Sequence, residues 1–182
     1  KTIACSGCPL GCDHISIVKK GTKAEQAASV EFETIYSLGS QCGVGDFPVI
    51  VQAADQCDKL GIDTVSAGVT IGWAMECYEK GILTAKELDG LKPTFGNAEA
   101  MMLLIMKIAY RQGIGNLLAE GVKRAAEKIG KGSEKLAVHV KGAELPAWEA
   151  RGVRGRGLMY ALCEGGGFHT KGWVSGSEPP RT

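Results

Sequence analysis

The chain has 182 residues, 45% of them apolar, and a formal net charge of +1. That length is the size of one domain or one and a half. The near-neutral balance gives no electrostatic basis for nucleic-acid binding. No apolar run reaches the roughly 18 residues that a membrane span requires.

Residues 1–45 read as irregular and Gly-rich, and they open with Cys5-Ser-Gly-Cys8-Pro-Leu-Gly-Cys12. Helices are predicted next. Asp46 can cap the first, with Pro48 tolerated in its first turn, and Val49, Ala53, Cys57 and Leu60 fall on one face. Gly61 is expected as a left-handed C-terminal cap followed by apolar Ile62. Asp63 or Thr64 starts a second helix through Trp73, Met75 and Tyr78 to Lys80, with Gly81 after it. Asn97 starts a third, carrying Met101, Leu104, Ile105 and Ile108; Asn116 starts a fourth through Val122, Ala125, Ala126 and Ile129 to Gly130. From residue 132 the chain is expected to become irregular again, with a short strand at Leu136–Val140. The string Gly152-Val-Arg-Gly-Arg-Gly157 has the wrong glycine order for a dinucleotide fingerprint. Strands and helices do not alternate, which argues against a doubly wound sheet. The fold class is mainly α, with irregular Gly-rich loops. The chain thus divides into an irregular stretch to residue 45, a helical stretch to residue 131 and a second irregular stretch from residue 132.

The chain lacks an initiator Met and ends in Glu178-Pro-Pro-Arg-Thr182, so it is read as a piece of a longer protein without a visible signal peptide. Of the seven cysteines, Cys42, Cys57, Cys77 and Cys163 are scattered. That distribution suits buried free thiols in a reducing, cytoplasmic compartment better than a disulfide framework. The C-x2-C-x3-C run of Cys5, Cys8 and Cys12 is different. Thiolates are soft ligands for zinc or iron–sulfur clusters. Zinc ribbons bring a second C-x2-C pair, which is absent, and the ferredoxin spacing is absent as well. Three close cysteines with one remote partner suit a [4Fe–4S] cubane; zinc and plain thiols stay as alternatives.

Several phrases together resemble the tungsten-containing aldehyde ferredoxin oxidoreductase family over essentially all 182 residues. The cysteine run is similar to its cluster motif. Glu31-Phe-Glu-Thr34 resembles its Glu-Tyr-Glu-Thr phrase, and Asp58-Lys-Leu-Gly-Ile-Asp63 its D-x-x-G-L-D pterin motif, with Ile62 replacing leucine. Ala74-Met-Glu-Cys-Tyr-Glu-Lys-Gly81, Val140-Lys-Gly-Ala-Glu-Leu-Pro146 and Gly165-Gly-Gly-Phe-His-Thr-Lys171 also look like family phrases.

The resemblance implies parts of two helical domains of an enzyme that oxidises aldehydes to carboxylic acids: residues 1–131 are expected as a cluster-binding loop and helical domain, and residues 132–182 as the truncated start of the second, C-terminal one. The metal is tungsten or molybdenum, held by two pterins, and a [4Fe–4S] cluster passes the electrons on. Metal ligands are then Cys5, Cys8 and Cys12, with the fourth expected beyond Thr182. Cofactor contacts fall to Asp58, Ile62, Asp63 and Lys171. Carboxylates at the N–H-rich edge of a pterin would make charge-assisted hydrogen bonds; otherwise Asp63 is only a helix cap and Asp58 a solvated charge. Glu33 is the expected proton acceptor beside the metal. Glu31 is its rival, because in an extended segment both would share a face, roughly 6.6 Å apart. His169 would polarise the substrate carbonyl. Trp148 and Trp173 either line the channel or pack in the core, and His14 and His139 read as structural or surface residues. Implied partners are ferredoxin or another electron acceptor and a small aldehyde, with neither nucleic acid nor membrane, and a homo-oligomer left open. Some family members bridge subunits with a mononuclear iron, but the matching glutamate position holds Gln52 and no histidine occurs in residues 15–138. That iron is expected to be absent. A related tungsten–pterin enzyme with another low-potential reaction, such as aryl-thioester ring reduction, a non-catalytic iron–sulfur module and a zinc-stabilised helical interaction domain are the alternatives.

Overall fold

A computed structural model describes residues 2–4, 6–9, 11, 13–20 and 23–172. Cys5, Cys12 and Trp173 lie outside the described residues.

The N-terminal stretch is not irregular throughout. Strands β1 (Thr2–Ile3), β2 (Asp13–Lys20) and β3 (Lys23–Ser29) form an antiparallel sheet in the order β1-β2-β3. Thr2 pairs with His14 and Ile15 with Ser29, and the register shifts between Val18 and Lys19. The alternation in His-Ile-Ser-Ile of β2 carried the strand signal. Its partner β3, with three alanines and no β-branched residue, carried almost none. Ala28 and Val30 bury themselves against Val51 and Ala54, so the sheet lies on the first long helix.

Next come a single α-turn, α1 (Phe32–Thr34), a π-helical turn (Ile35–Gly39) and a 3-10 turn (Ser40–Cys42). The helices that follow keep the predicted starts. Helix α2 (Phe47–Leu60) begins after Asp46, whose side chain makes no cap bond. It buries Ile50, Val51, Ala53, Ala54 and Cys57, with Val49 and Leu60 at the edge of the core. Gly61 ends it in the left-handed region, φ 67°, and the Ile62 N–H returns to the Cys57 carbonyl at 2.9 Å. Helix α3 (Thr64–Glu79) is buried along one unbroken run from Ala67 to Met75. A helix apolar on all sides belongs in the middle of a fold. Helix α4 (Ala98–Ala109) starts where Asn97 Oδ1 accepts the Ala100 N–H at 3.0 Å.

The predicted fourth helix is two helices, α5 (Gly115–Leu118) and α6 (Val122–Ile129). The break is Gly121, φ 84°, where a Cβ would stand 2.7 Å from Glu144 Oε1. That same oxygen accepts the Val122 N–H at 2.7 Å, so a distant carboxylate caps α6. The short strand is confined to β4 (His139–Val140), paired with β5 (Ala143–Glu144). The Gly-rich string at 152–157 is also more ordered than expected. It enters helix α7 (Arg154–Leu162), followed by a 3-10 turn at His169–Lys171.

The main core gathers α2, α3, α4 and α6 around Trp73, Met75, Met101, Leu104 and Ile105. The Trp73 indole N–H donates to the Ser133 carbonyl at 3.1 Å. Helices dominate the described residues, as the mainly α reading requires. Among these residues no helix is long and apolar enough to cross a membrane.

Candidate functional site

Two glycines bring the first half of the site to the core. A Cβ on Gly68 would meet the Ser37 carbonyl carbon and oxygen at 2.4 Å, and one on Gly72 the Gln41 carbonyl at 3.0 Å. Lying four residues apart, both sit on one face of α3. They let the Ile35–Cys42 backbone rest directly on that helix. The segment from Phe32 is therefore helical, and the extended geometry considered for Glu31 and Glu33 does not occur. Successive helical residues point about 100° apart, so the two carboxylates separate. Glu31 is exposed at the N-cap, whereas Glu33 is 7% exposed.

Glu33 Oε2 accepts the Ala147 N–H at 2.9 Å. Oε1 is buried and has no hydrogen-bond partner among the described residues. His169 Nε2 stands 3.6 Å from it, too far for a hydrogen bond but close enough for one small polar group lying alongside to reach both. A buried carboxylate oxygen left open is costly unless something completes it. The two residues expected to do the chemistry, 136 positions apart in the chain by number, thus face each other. The loop before His169 reaches this point by passing close to the β4–β5 hairpin: a Cβ on Gly166, φ 79°, would lie 2.0 Å from the Val140 carbonyl oxygen.

Around the pair lies a polar and aromatic wall of which the sequence singled out only Trp148. Arg156 is fully buried, and its Nη1 donates to the carbonyls of His169 at 2.7 Å and Gly172 at 2.9 Å. Its guanidinium carbon is 5.3 Å from the centroid of the Trp148 ring, which meets Phe32 at 5.9 Å and 52°. The Tyr160 hydroxyl donates to the Trp148 carbonyl at 3.0 Å. Burial pushes the Tyr160 phenol up to about 12, with Arg156 opposing and Glu33 reinforcing the rise. Tyr36 is also raised, by burial first and then by Glu33 and Cys42. The available signal was the i, i+4 spacing of Arg156 and Tyr160, hidden because the surrounding glycines disguise a helix.

The remaining expected residues stand as follows. Asp63 is the N-cap of α3, its Oδ2 accepting the Ser66 N–H at 2.7 Å. Asp58 is exposed in the last turn of α2. Its carboxyl is raised by partial desolvation and by the like charges of Asp55 and Asp13. Asp13 is the first residue of β2, so the end of α2 and the start of that strand are electrostatic neighbours. Ile62 packs on the core, and its N–H is taken by the α2 cap, so a main-chain contact to an outside group would run through its carbonyl. Lys171 is exposed, two residues past His169, and lines a cleft of about 820 Å³ with Met159, Cys163 and Phe168. Cys8 is a half-buried free thiol beside Gly7, φ 75°. No group of three or more His, Cys, Asp or Glu suited to a metal ion occurs among the described residues.

The family model for aldehyde ferredoxin oxidoreductase, domains 2 and 3, matches residues 1–182. The chain is 41% identical over 175 residues to the tungsten-containing aldehyde ferredoxin oxidoreductase of Thermococcus kodakarensis, covering 96% of this chain and 28% of that protein. It is 36% identical over 174 residues to an aliphatic sulfonate oxidoreductase, WOR-like subunit, of Pyrococcus furiosus, covering 90% of this chain and 27% of that one. Among solved structures it resembles the active-site complex BamBC of benzoyl coenzyme A reductase with 1,5-dienoyl-CoA. The TM-score is 0.69 and the identity 28%, over 90% of this chain and 24% of that one. The chain thus spans little more than a quarter of the relatives it matches, and by its family model and its identity to them it belongs to the aldehyde ferredoxin oxidoreductase family.

Proposed function

We propose that this chain forms part of an enzyme that oxidises an aldehyde to a carboxylic acid, with Glu33 and His169 at the reacting centre. The observation that carries the reading is the open, buried Glu33 Oε1 facing His169 Nε2 at 3.6 Å. An acceptor oxygen on Glu33 beside a ring nitrogen of His169 suits a small polar substrate. Cys5, Cys8 and Cys12 would hold the [4Fe–4S] cluster, and Asp58, Asp63, Lys171 and the Ile62 main chain would contact the pterin. When bound, a tungsten or molybdenum bis-pterin centre supplies a two-electron couple and the cluster a one-electron relay.

The overall change is aldehyde plus water to carboxylic acid, two protons and two electrons. The electrons leave one at a time to ferredoxin or another acceptor. His169 donates a hydrogen bond to the substrate carbonyl oxygen and polarises it. Glu33 accepts a proton as the new C–O bond forms, using the oxygen that no protein donor occupies. Its second oxygen, tied to the Ala147 N–H, keeps the carboxylate from turning away. Such contacts are often long before substrate arrives and tighten in the complex.

The test is steady-state kinetics on full-length variants with metal content measured. Glu33→Gln is expected to lower kcat by about a hundred- to ten-thousand-fold, the usual weight of general base catalysis. His169→Asn should also slow the reaction, and Glu31→Gln, exposed, should remain near normal. Near-normal rates for both Glu33→Gln and His169→Asn would defeat the reading. A second reading, reduction of an aryl thioester ring, draws on the likeness to the benzoyl coenzyme A reductase complex. An aldehyde panel with a viologen dye, run beside an aryl thioester with a low-potential donor, separates the two.

A further inference from the structure

Among the described residues, Arg156 is the one buried charge near the pair that the proposed reaction does not use. A guanidinium stays protonated in a protein and is costly to bury unless its donors are engaged. Here Nη1 reaches the carbonyls of His169 and Gly172, one at the first residue of the 3-10 turn His169–Lys171 and one just past its end. The planar group also lies against Trp148. The peptide carrying Trp148 is fixed from two sides. The N–H of the preceding Ala147 is bonded to Glu33, and the Trp148 carbonyl is held by Tyr160. Glu33, Ala147–Trp148, Arg156 and His169 therefore close a ring of contacts that returns to Glu33. The Nη1 bonds to the His169 and Gly172 carbonyls, and a longer one to Met159 Sδ at 3.6 Å, go to groups other than the imidazole. Arg156 holds the backbone from which the imidazole projects.

We propose that Arg156 is a positioning residue that sets the His169 imidazole against Glu33 by clamping both ends of the His169 turn. The inference rests on the reading of Glu33 and His169 as the reacting pair. A lysine could reach one of the carbonyls, but it lacks the planar face that lies on Trp148.

The test is a double-mutant cycle in the full-length enzyme, with tungsten, iron and thermal midpoint measured on each variant. Arg156→Met should retain metal and lower kcat by up to about a hundred-fold, the effect of misplacing a reacting group by about 1 Å. Arg156→Lys should fall between it and the parent. Added to His169→Asn, Arg156→Met should change the rate by less than about two-fold, because independent sites would multiply instead. Equal losses in both backgrounds would make Arg156 merely structural and overturn the proposal. So would a near-normal Arg156→Met, or loss of metal and fold in both the Met and Lys variants. If His169→Asn itself is near normal, the underlying reading has failed instead, a result the cycle reports separately.

Discussion

Glu31 and Glu33 differ by two positions and end in different media, one in solvent and one behind the Ala147 peptide. That difference follows from helix formation at Phe32, which no local pattern announced. The buried thiols show the same dependence on surroundings. Burial pushes Cys42, Cys57 and Cys77 up to about 12, and Cys42 also donates to the carbonyls of Ser37 and Gly68 at 3.4 Å. Thiolate is the reactive form, so these three should resist iodoacetamide at pH 8 in the folded protein and react once urea is added. Mass spectrometry of tryptic peptides reads the result. Rapid labelling of Cys42 without denaturant would contradict its sealed position.

At the scale of elements, the α3 glycines decide the site. Gly68→Ala drives a methyl into the Ser37 backbone, which cannot rotate away as a side chain could. Overpacking of this kind costs about 1–3 kcal/mol. The variant should lower the thermal midpoint and also slow turnover, because the displaced segment continues directly from the α1 turn that carries Glu33. Asn97→Ala removes the α4 cap and should cost about 1 kcal/mol while leaving kcat alone. The helices with plain terminal signals were legible: Gly61, Asp63, Asn97 and Gly81 sit where their chemistry suggested. Strand β3 and helix α7 were not. An Ala-rich strand and a Gly-interrupted helix take their structure from neighbours, α2 in one case and the His169 turn in the other. The break at Gly121 was hidden for a similar reason, since Glu144 completes it from 23 residues away.

Across the whole molecule, the site joins peptides that no periodicity could connect. The Glu33–Ala147 bond closes a separation of 114 residues. Glu33 and His169 entered as candidates through family phrases, while Arg156 needed the packed structure. The three buried thiols also act together on global stability. The folded protein holds their protons up to about 12, whereas an exposed thiol ionises near 9.0. Their stabilising contribution is therefore complete below pH 9 and lost as pH rises from there toward 12. Urea midpoints should fall as pH rises from 9 to about 11. Cys57→Ala should flatten that fall, and an unchanged slope would mean that the thiol ionises equally in both states.

The π-helical turn at Ile35–Gly39 has a consequence for how this site is encoded. The Ser40 N–H reaches back five residues to the Ile35 carbonyl, so the turn holds one residue more than an α-turn would. Removing any single residue there would let ordinary helical winding resume and swing everything upstream by about 100°. Glu33 would then face away from Ala147 and His169, with its identity and every downstream residue unchanged. The angular phase of the carboxylate is written in a count of residues rather than in their kind, so a one-codon deletion at this turn would be more damaging than most substitutions within it.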